Sequence, residues 1–208
     1  MTCLKKKDAS YFRGCEYDER WDDMEYCYVA YAYETCPWNH PDTYPLMFMQ
    51  QMLGQWDKRY PGGRYHVNPL TAYFYGDDSR PITESYMAFN TPYTDTGLFG
   101  VYAVTHPYDL KYALEESRRE VNRYGYDVNE AMLEDVRERL KATLLLSLGN
   151  TSQLMEDVGR QLLVHGRRIH PVEAIKRIND VDVNAVKVAA HRYLIDKVTS
   201  FFFVVCFF

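Results

Sequence analysis

Hydrophobic and polar positions follow two periods along the chain, near two residues in the first half and near 3.6 in the second. The two-residue part predicts a short strand over 12–20 and a longer one over 24–34, where tyrosine, valine and alanine alternate, with a turn at 20–23 between them. Strands resume over 82–90 and 98–106, joined through Thr94-Asp95-Thr96-Gly97, so that 82–106 reads as an antiparallel hairpin whose second arm is a central strand. One helix interrupts this series. Asn39-His40-Pro41-Asp42-Thr43 supplies its start, with Asp42 or Asn39 as N-cap. Leu46, Phe48, Met49, Met52, Leu53 and Trp56 give it a wide apolar side to about Lys58, before Tyr60-Pro61-Gly62-Gly63 breaks it. Residues 60–81 are the least regular stretch, loops around a short apolar run at 70–75.

From Asp109 the pattern predicts helices over 110–124, 128–148, 152–166, 171–178 and 184–194. Asn129 or Asp127 opens the second, Thr151 or Ser152 the third, and Gly149 and Gly166 close two of them. In the third, Leu154, Val158, Leu162 and Leu163 are expected to face inward. The apolar run 201–208 is too short to cross a bilayer, which takes roughly 20 residues. It reads as a terminal strand, and would be an aggregation hazard unless paired inside the sheet. Strands first and helices after imply an α+β fold, a mostly antiparallel β-sheet with helices packed on one face. A polar lead segment, 1–11, precedes one domain over 12–208 that is truncated or altered after 197.

Composition narrows the classes. Apolar residues at 47% and charged residues at 25% are those of a globular chain. A net charge of −5 with a pI near 5.7 leaves no electrostatic footprint for nucleic acid. Five cysteines, without a C-x-x-C, read as free thiols in a reducing compartment. The start shows neither a secretory signal nor an Arg- and Ser-rich transit pattern.

Candidate chemistry is sparse. The six histidines are scattered, with no H-x-x-E-H or H-E-x-x-H among them, so the sequence offers no zinc site and no catalytic residue. His170-Pro171-Val172-Glu173 comes nearest, yet its proline marks a helix start. Neither a nucleophile elbow nor a phosphate-binding glycine fingerprint is present. Gly62-Gly63 reads as a turn, or as a loop touching an extended substrate. Glu115, Glu116, Glu130, Glu134, Asp135 and Glu138 alternate with arginines and lysines as on a solvated helix face. The densest polar element is Asn90-Thr91-Pro92-Tyr93-Thr94-Asp95-Thr96-Gly97, a hairpin turn with an exposed tyrosine.

Three segments resemble successive landmarks of one family: Trp38-Asn39-His40-Pro41-Asp42-Thr43-Tyr44-Pro45-Leu46, Leu53-Gly54-Gln55-Trp56-Asp57-Lys58-Arg59-Tyr60-Pro61-Gly62-Gly63, and Asn90 to Gly97 with Leu98-Phe99-Gly100-Val101-Tyr102 after it. The likeness continues through Glu156-Asp157-Val158-Gly159-Arg160-Gln161 and Ile178-Asn179-Asp180-Val181-Asp182. The family is that of the pitrilysin-type inverted-zincin metallopeptidases, in the branch holding mitochondrial processing peptidase β subunits and complex III core subunits, and only the carboxy-terminal half is matched. Residues 65–81 and the end after 197 depart from it.

The resemblance implies two α+β halves facing each other, with the zinc motif H-x-x-E-H in the other half. It implies no cofactor in this chain, Zn in the missing N-terminal half or partner, and a chain inactive alone. Implied partners are that zinc-bearing half with an α-type subunit as heterodimer, or complex III subunits, together with an extended presequence peptide; no nucleic acid and no transmembrane segment are implied. Asn90 and Tyr93 are the matched substrate-binding positions, and the implied location is the mitochondrial matrix or the matrix side of the inner membrane.

Overall fold

The computed structural model describes residues 10–21, 23–59, 68–75 and 81–205. The expected lead segment falls almost wholly outside them, as do Gly62-Gly63, the 76–80 loop and the last three residues. Strong alternation makes β2 (Cys27–Thr35) and β5 (Gly97–Thr105) the centre of the sheet, because their odd-numbered positions, Val29, Tyr31, Phe99 and Val101 among them, are all buried. Around them lie β1 (Glu16–Arg20), β3 (Gln55–Asp57), β4 (Thr83–Pro92) and β6 (Thr199–Val205). The spatial order is β1-β6-β2-β5-β4-β3, antiparallel throughout except for the parallel pair β1 and β6. The described part of the terminal apolar run lies in β6 and is paired on both edges, with β1 and β2, as the hazard in its composition requires.

Helices α1 (Thr43–Leu53), α2 (Pro69–Tyr75), α3 (Leu110–Arg123), α4 (Glu130–Ser147), α5 (Thr151–His165), α6 (Pro171–Asn179) and α7 (Val183–Tyr193) complete the α+β fold. Phe48, Met49, Val121, Leu133, Val136, Val186 and Ala190 join the inward strand residues in one buried cluster. Each of the valine, leucine, phenylalanine and methionine side chains among them contributes about 1.5–3 kcal/mol through apolar burial.

Several boundaries differ from the sequence expectation. The first helix ends at Leu53 instead of Lys58. Gly54 takes φ 66° with its N–H on the Gln50 carbonyl, and a Cβ there would lie 1.9 Å from Asn68 Nδ2. The chain then turns extended, so Trp56 reaches the core from β3, opposite Tyr86. The first strand begins only at Glu16, after Gly14 at φ 66°. The 70–75 run forms α2, whose Leu70, Thr71 and Phe74 recur at helical spacing. Asn150 caps α5, accepting from the Ser152 N–H at 3.1 Å, where Thr151 or Ser152 is expected. Asn129 and Gly166 act as the pattern indicates.

The third long helix also corrects an expectation about its faces. Leu162 and Leu163 are 51% and 89% exposed instead of inward. In α5 the side lying over the rest of the chain is the one with Asp157, Gln161 and Val164.

Candidate functional site

The β4–β5 hairpin presents the element singled out above. Asn90 pairs with Phe99 and Pro92 with Gly97, and the tip closes through the Tyr93 N–H on the Thr96 carbonyl at 2.7 Å. Thr96 Oγ1 donates to Glu34 at 3.1 Å. Gly97 is required by packing, since a Cβ there would stand 2.5 Å from the Cys36 carbonyl oxygen. Tyr93 is 47% exposed at the tip. Asn90 lies on the strand, on the side shared with buried Tyr86 and Ala88, and its Oδ1 is buried without a hydrogen-bond partner among the described residues. The two candidate residues therefore occupy different surroundings, one solvent-facing and one turned toward the helices.

The tip is fastened to a second feature. The Trp38 N–H donates to the Tyr93 carbonyl at 3.1 Å, and Trp38 opens the segment leading into α1. That segment borders a groove of about 710 Å³, closed on the far side by α5 and α6. Its floor is apolar, with Met47, Leu144, Ile178 and Val181. Across the groove Asn39 donates to the Val164 carbonyl at 3.2 Å, and the Arg160 guanidinium lies 5.7 Å above the Trp38 ring.

Asp42, an expected N-cap, makes no capping bond. Its Oδ2 instead accepts from Arg192 at 2.5 Å and from the Tyr193 hydroxyl at 3.0 Å. Burial, reinforced by that carboxylate, pushes the Tyr193 hydroxyl up to about 12. Thr43 Oγ1 closes the turn on the His40 carbonyl at 2.8 Å.

Metal chemistry finds no footing here. Among the described residues no three His, Cys, Asp or Glu side chains converge as a metal site. In the nearest motif, His170 caps α6 by accepting the Val172 N–H at 3.3 Å. Glu173 binds both nitrogens of Arg167 and also Arg177; the hydrogen bond to Arg167 is the main reason its carboxyl drops to about 2.

The carboxylates of α3 split into two kinds. Glu115 faces Lys111 at 3.9 Å on a solvated side, as the sequence suggests. Glu116, read as part of the same face, is only 5% exposed, and Glu120 one turn later 3%. They share the helix stripe of Ala113 and Val121, and that spacing is the signal that could have marked them. Arg119 holds Glu116 at 2.7 Å, while Glu116 Oε2 and Glu120 Oε1 have no hydrogen-bond partner among the described residues. Desolvation raises the Glu120 carboxyl, against the pull of Arg123.

Comparison with known proteins sets this geometry in context. The family described as the peptidase M16 inactive domain matches residues 4–140. The probable mitochondrial-processing peptidase subunit beta of Arabidopsis thaliana is 42% identical over 197 residues, 93% of this chain and 36% of that protein. The mitochondrial-processing peptidase subunit beta of Mus musculus is 34% identical over 186 residues, 89% of this chain and 37% of its own length. That of Lentinula edodes is also 34% identical, over 89% of this chain and 40% of that protein. A chain of complex III2 from Candida albicans, solved with Inz-5 bound, superposes with a TM-score of 0.86 at 23% identity, over 93% of this chain and 46% of that one. The chain thus spans well under half the length of the relatives it matches. With the match over 4–140 and the shared fold, it belongs to the M16 peptidase family, as an inactive-type, carboxy-terminal domain of the kind found in processing-peptidase β subunits.

Proposed function

We propose that this chain is the substrate-holding and assembly half of a mitochondrial processing-peptidase β-type subunit, and that it contributes to zinc-dependent removal of targeting presequences without carrying the zinc motif. The observation that supports this best is the Asn90–Gly97 hairpin, whose family-like sequence forms a braced tip with Tyr93 turned to solvent. No H-x-x-E-H occurs in the 208 residues, and the family is described as an inactive domain. On this reading zinc, which lowers the pKa of bound water, belongs to the other half. This chain's own part is to hold an extended peptide: backbone fixed by the Trp38–Tyr93 bond and an exposed tyrosine ring for stacking, with Asn90 on the strand that leads to the tip, its Oδ1 buried on the inner side of the sheet. The place of action is the mitochondrial matrix.

A test is reconstitution of the chain with a zinc-bearing half and an α-type subunit, followed by cleavage of a presequence peptide. Zinc-dependent cleavage that requires all three polypeptides is the expected result. Cleavage at the same rate without this chain overturns the reading. The second reading, a non-catalytic core subunit of ubiquinol–cytochrome c reductase, is favoured by the superposition on the complex III chain. It predicts co-purification with membrane cytochromes and no contribution to cleavage.

A further inference from the structure

The Trp38–Tyr93 bond that braces the hairpin tip is itself held from a third element. Residues 38 and 39 meet α5 at two points one turn apart: the Arg160 guanidinium lies 5.7 Å above the Trp38 ring, and the Val164 carbonyl accepts from the Asn39 side chain at 3.2 Å. Positions 160 and 164 share one face of the helix. Val164 is also among the last carbonyls of α5, which have no partner inside the helix, so the Asn39 carboxamide caps that end. Glu156, one turn before Arg160, hydrogen-bonds its guanidinium and steadies it over the indole.

These contacts matter because α5 is otherwise lightly held. None of its fifteen residues is buried, and Met155, Leu162 and Leu163 face solvent, so no packed apolar stripe seats it. The two sides of the 37–43 turn are fixed by different means. Thr43 Oγ1 ties the backbone from the α1 side, donating to the His40 carbonyl at 2.8 Å. The Trp38 ring lines the groove and is met by Arg160 from the opposite wall. A second stack of the same make, Glu173 and Arg177 with the guanidinium 6.0 Å from the Tyr44 ring, joins α6 to the start of α1 and bypasses the tip.

We propose that Arg160 is a positioning residue for the peptide-holding tip, acting through Trp38 on the Tyr93 backbone. The inference rests on the substrate-holding role proposed above and adds a group outside the hairpin that sets how firmly the tip holds. A peptide that meets a tyrosine already in place loses less freedom on binding than one that must first order the tip. Releasing Trp38 from α5 therefore weakens peptide binding without touching the scissile bond.

Two measurements test this. In the 208-residue chain, amide hydrogen exchange read by NMR follows the Trp38 N–H, whose acceptor is the Tyr93 carbonyl. Arg160→Ala is expected to speed that exchange about two- to fivefold, the factor equivalent to one exposed cation–π contact. Arg160→Lys should keep most of the protection, and Arg177→Ala, which removes the equivalent stack on Tyr44, should leave Trp38 unchanged. In the assembly reconstituted with a zinc-bearing half and an α-type subunit, Arg160→Ala should raise KM for a presequence peptide by a similar factor at unchanged kcat, and should add little to Tyr93→Ala. Unchanged Trp38 exchange in Arg160→Ala, or equal acceleration in Arg177→Ala, overturns the inference. So does a KM effect that adds in full to that of Tyr93→Ala, since Arg160 would then act by a path of its own. Faster exchange with unchanged KM in an assembly that cleaves overturns the inference and leaves the proposed function standing. No cleavage by the wild-type assembly overturns both.

Discussion

Asp42 and Arg192 are 150 positions apart and meet at 2.5 Å, joining the entry of α1 to the end of α7, with the Tyr193 hydroxyl on the same carboxylate oxygen. Arg192 is half exposed, so the ion pair alone contributes little. The hydroxyl is better shielded and loses its acceptor if the carboxylate is removed. Asp42→Ala is expected to lower stability by about 1–2 kcal/mol in urea denaturation, and Tyr193→Phe made on top of it to add little. Additive losses in that double-mutant cycle would show that the two side chains act independently.

Two glycines of one chain should respond oppositely to alanine. At Gly100 a Cβ would lie 1.9 Å from the Tyr31 carbonyl oxygen, and backbone in the middle of a sheet cannot move aside. Gly100→Ala is expected to cost about 3 kcal/mol, the upper range of overpacking. Gly159 stands in α5 with nothing within 4 Å of a Cβ. Gly159→Ala should stabilise by up to about 1 kcal/mol through helix propensity. Urea midpoints of the two variants decide, and a neutral Gly100→Ala would mean that β2 and β5 are not so closely apposed.

Glu120 gives the stability profile a pH dependence whose sign follows from its burial. Desolvation raises its folded-state pKa above 4.5, with Asp127 and Glu116 adding to the effect and Arg123 opposing it. A carboxyl raised on folding binds its proton more tightly in the folded chain. Its contribution is therefore complete below the unfolded value and is lost as pH rises through the folded one. Glu120→Gln, neutral and nearly isosteric, should gain stability over wild type on the alkaline side of pH 4.5 and little below it. Thermal midpoints measured from pH 4 to 8 check this; a constant difference across that range would exclude the carboxyl as its source.

The sheet centre and the long helices were legible because their periods are strong, even though β2 finds its partners β5 and β6 far along the chain. What was not legible depended on tertiary contacts. Trp56 fits a helical stripe with Met52 and Leu53 as well as it fits a strand, and only the conformation of Gly54, pressed against Asn68, decides between them. Leu162 and Leu163 follow helical spacing too, yet no element among the described residues covers them. Leu163→Gln should accordingly change stability by less than about 0.5 kcal/mol, whereas Leu133→Ala, fully buried in α4, should cost about 2–5 kcal/mol. At the candidate site the hairpin was visible as turn chemistry. The Trp38–Tyr93 bond that braces it, and the opposite settings of Asn90 and Tyr93, were not, because neither has a local sequence signature.

Tyr93 supplies the most direct test of substrate holding. Its backbone is fixed at both polar groups, by Thr96 and by Trp38, while its ring is about half exposed, so removing the ring leaves the hairpin's hydrogen bonds in place. Tyr93→Ala should then keep the thermal midpoint within a degree or two while weakening an interaction of the kind an exposed aromatic anchor makes, about 1–2 kcal/mol, or roughly tenfold. If the ring holds the peptide equally in ground and transition states, that loss enters KM and leaves kcat unchanged in the reconstituted assembly. Tyr93→Phe should recover most of the lost affinity if stacking carries the contact, and little if the hydroxyl does. A fall in kcat at unchanged KM would instead assign Tyr93 to alignment of the scissile bond, and no change in either constant would remove it from the substrate path.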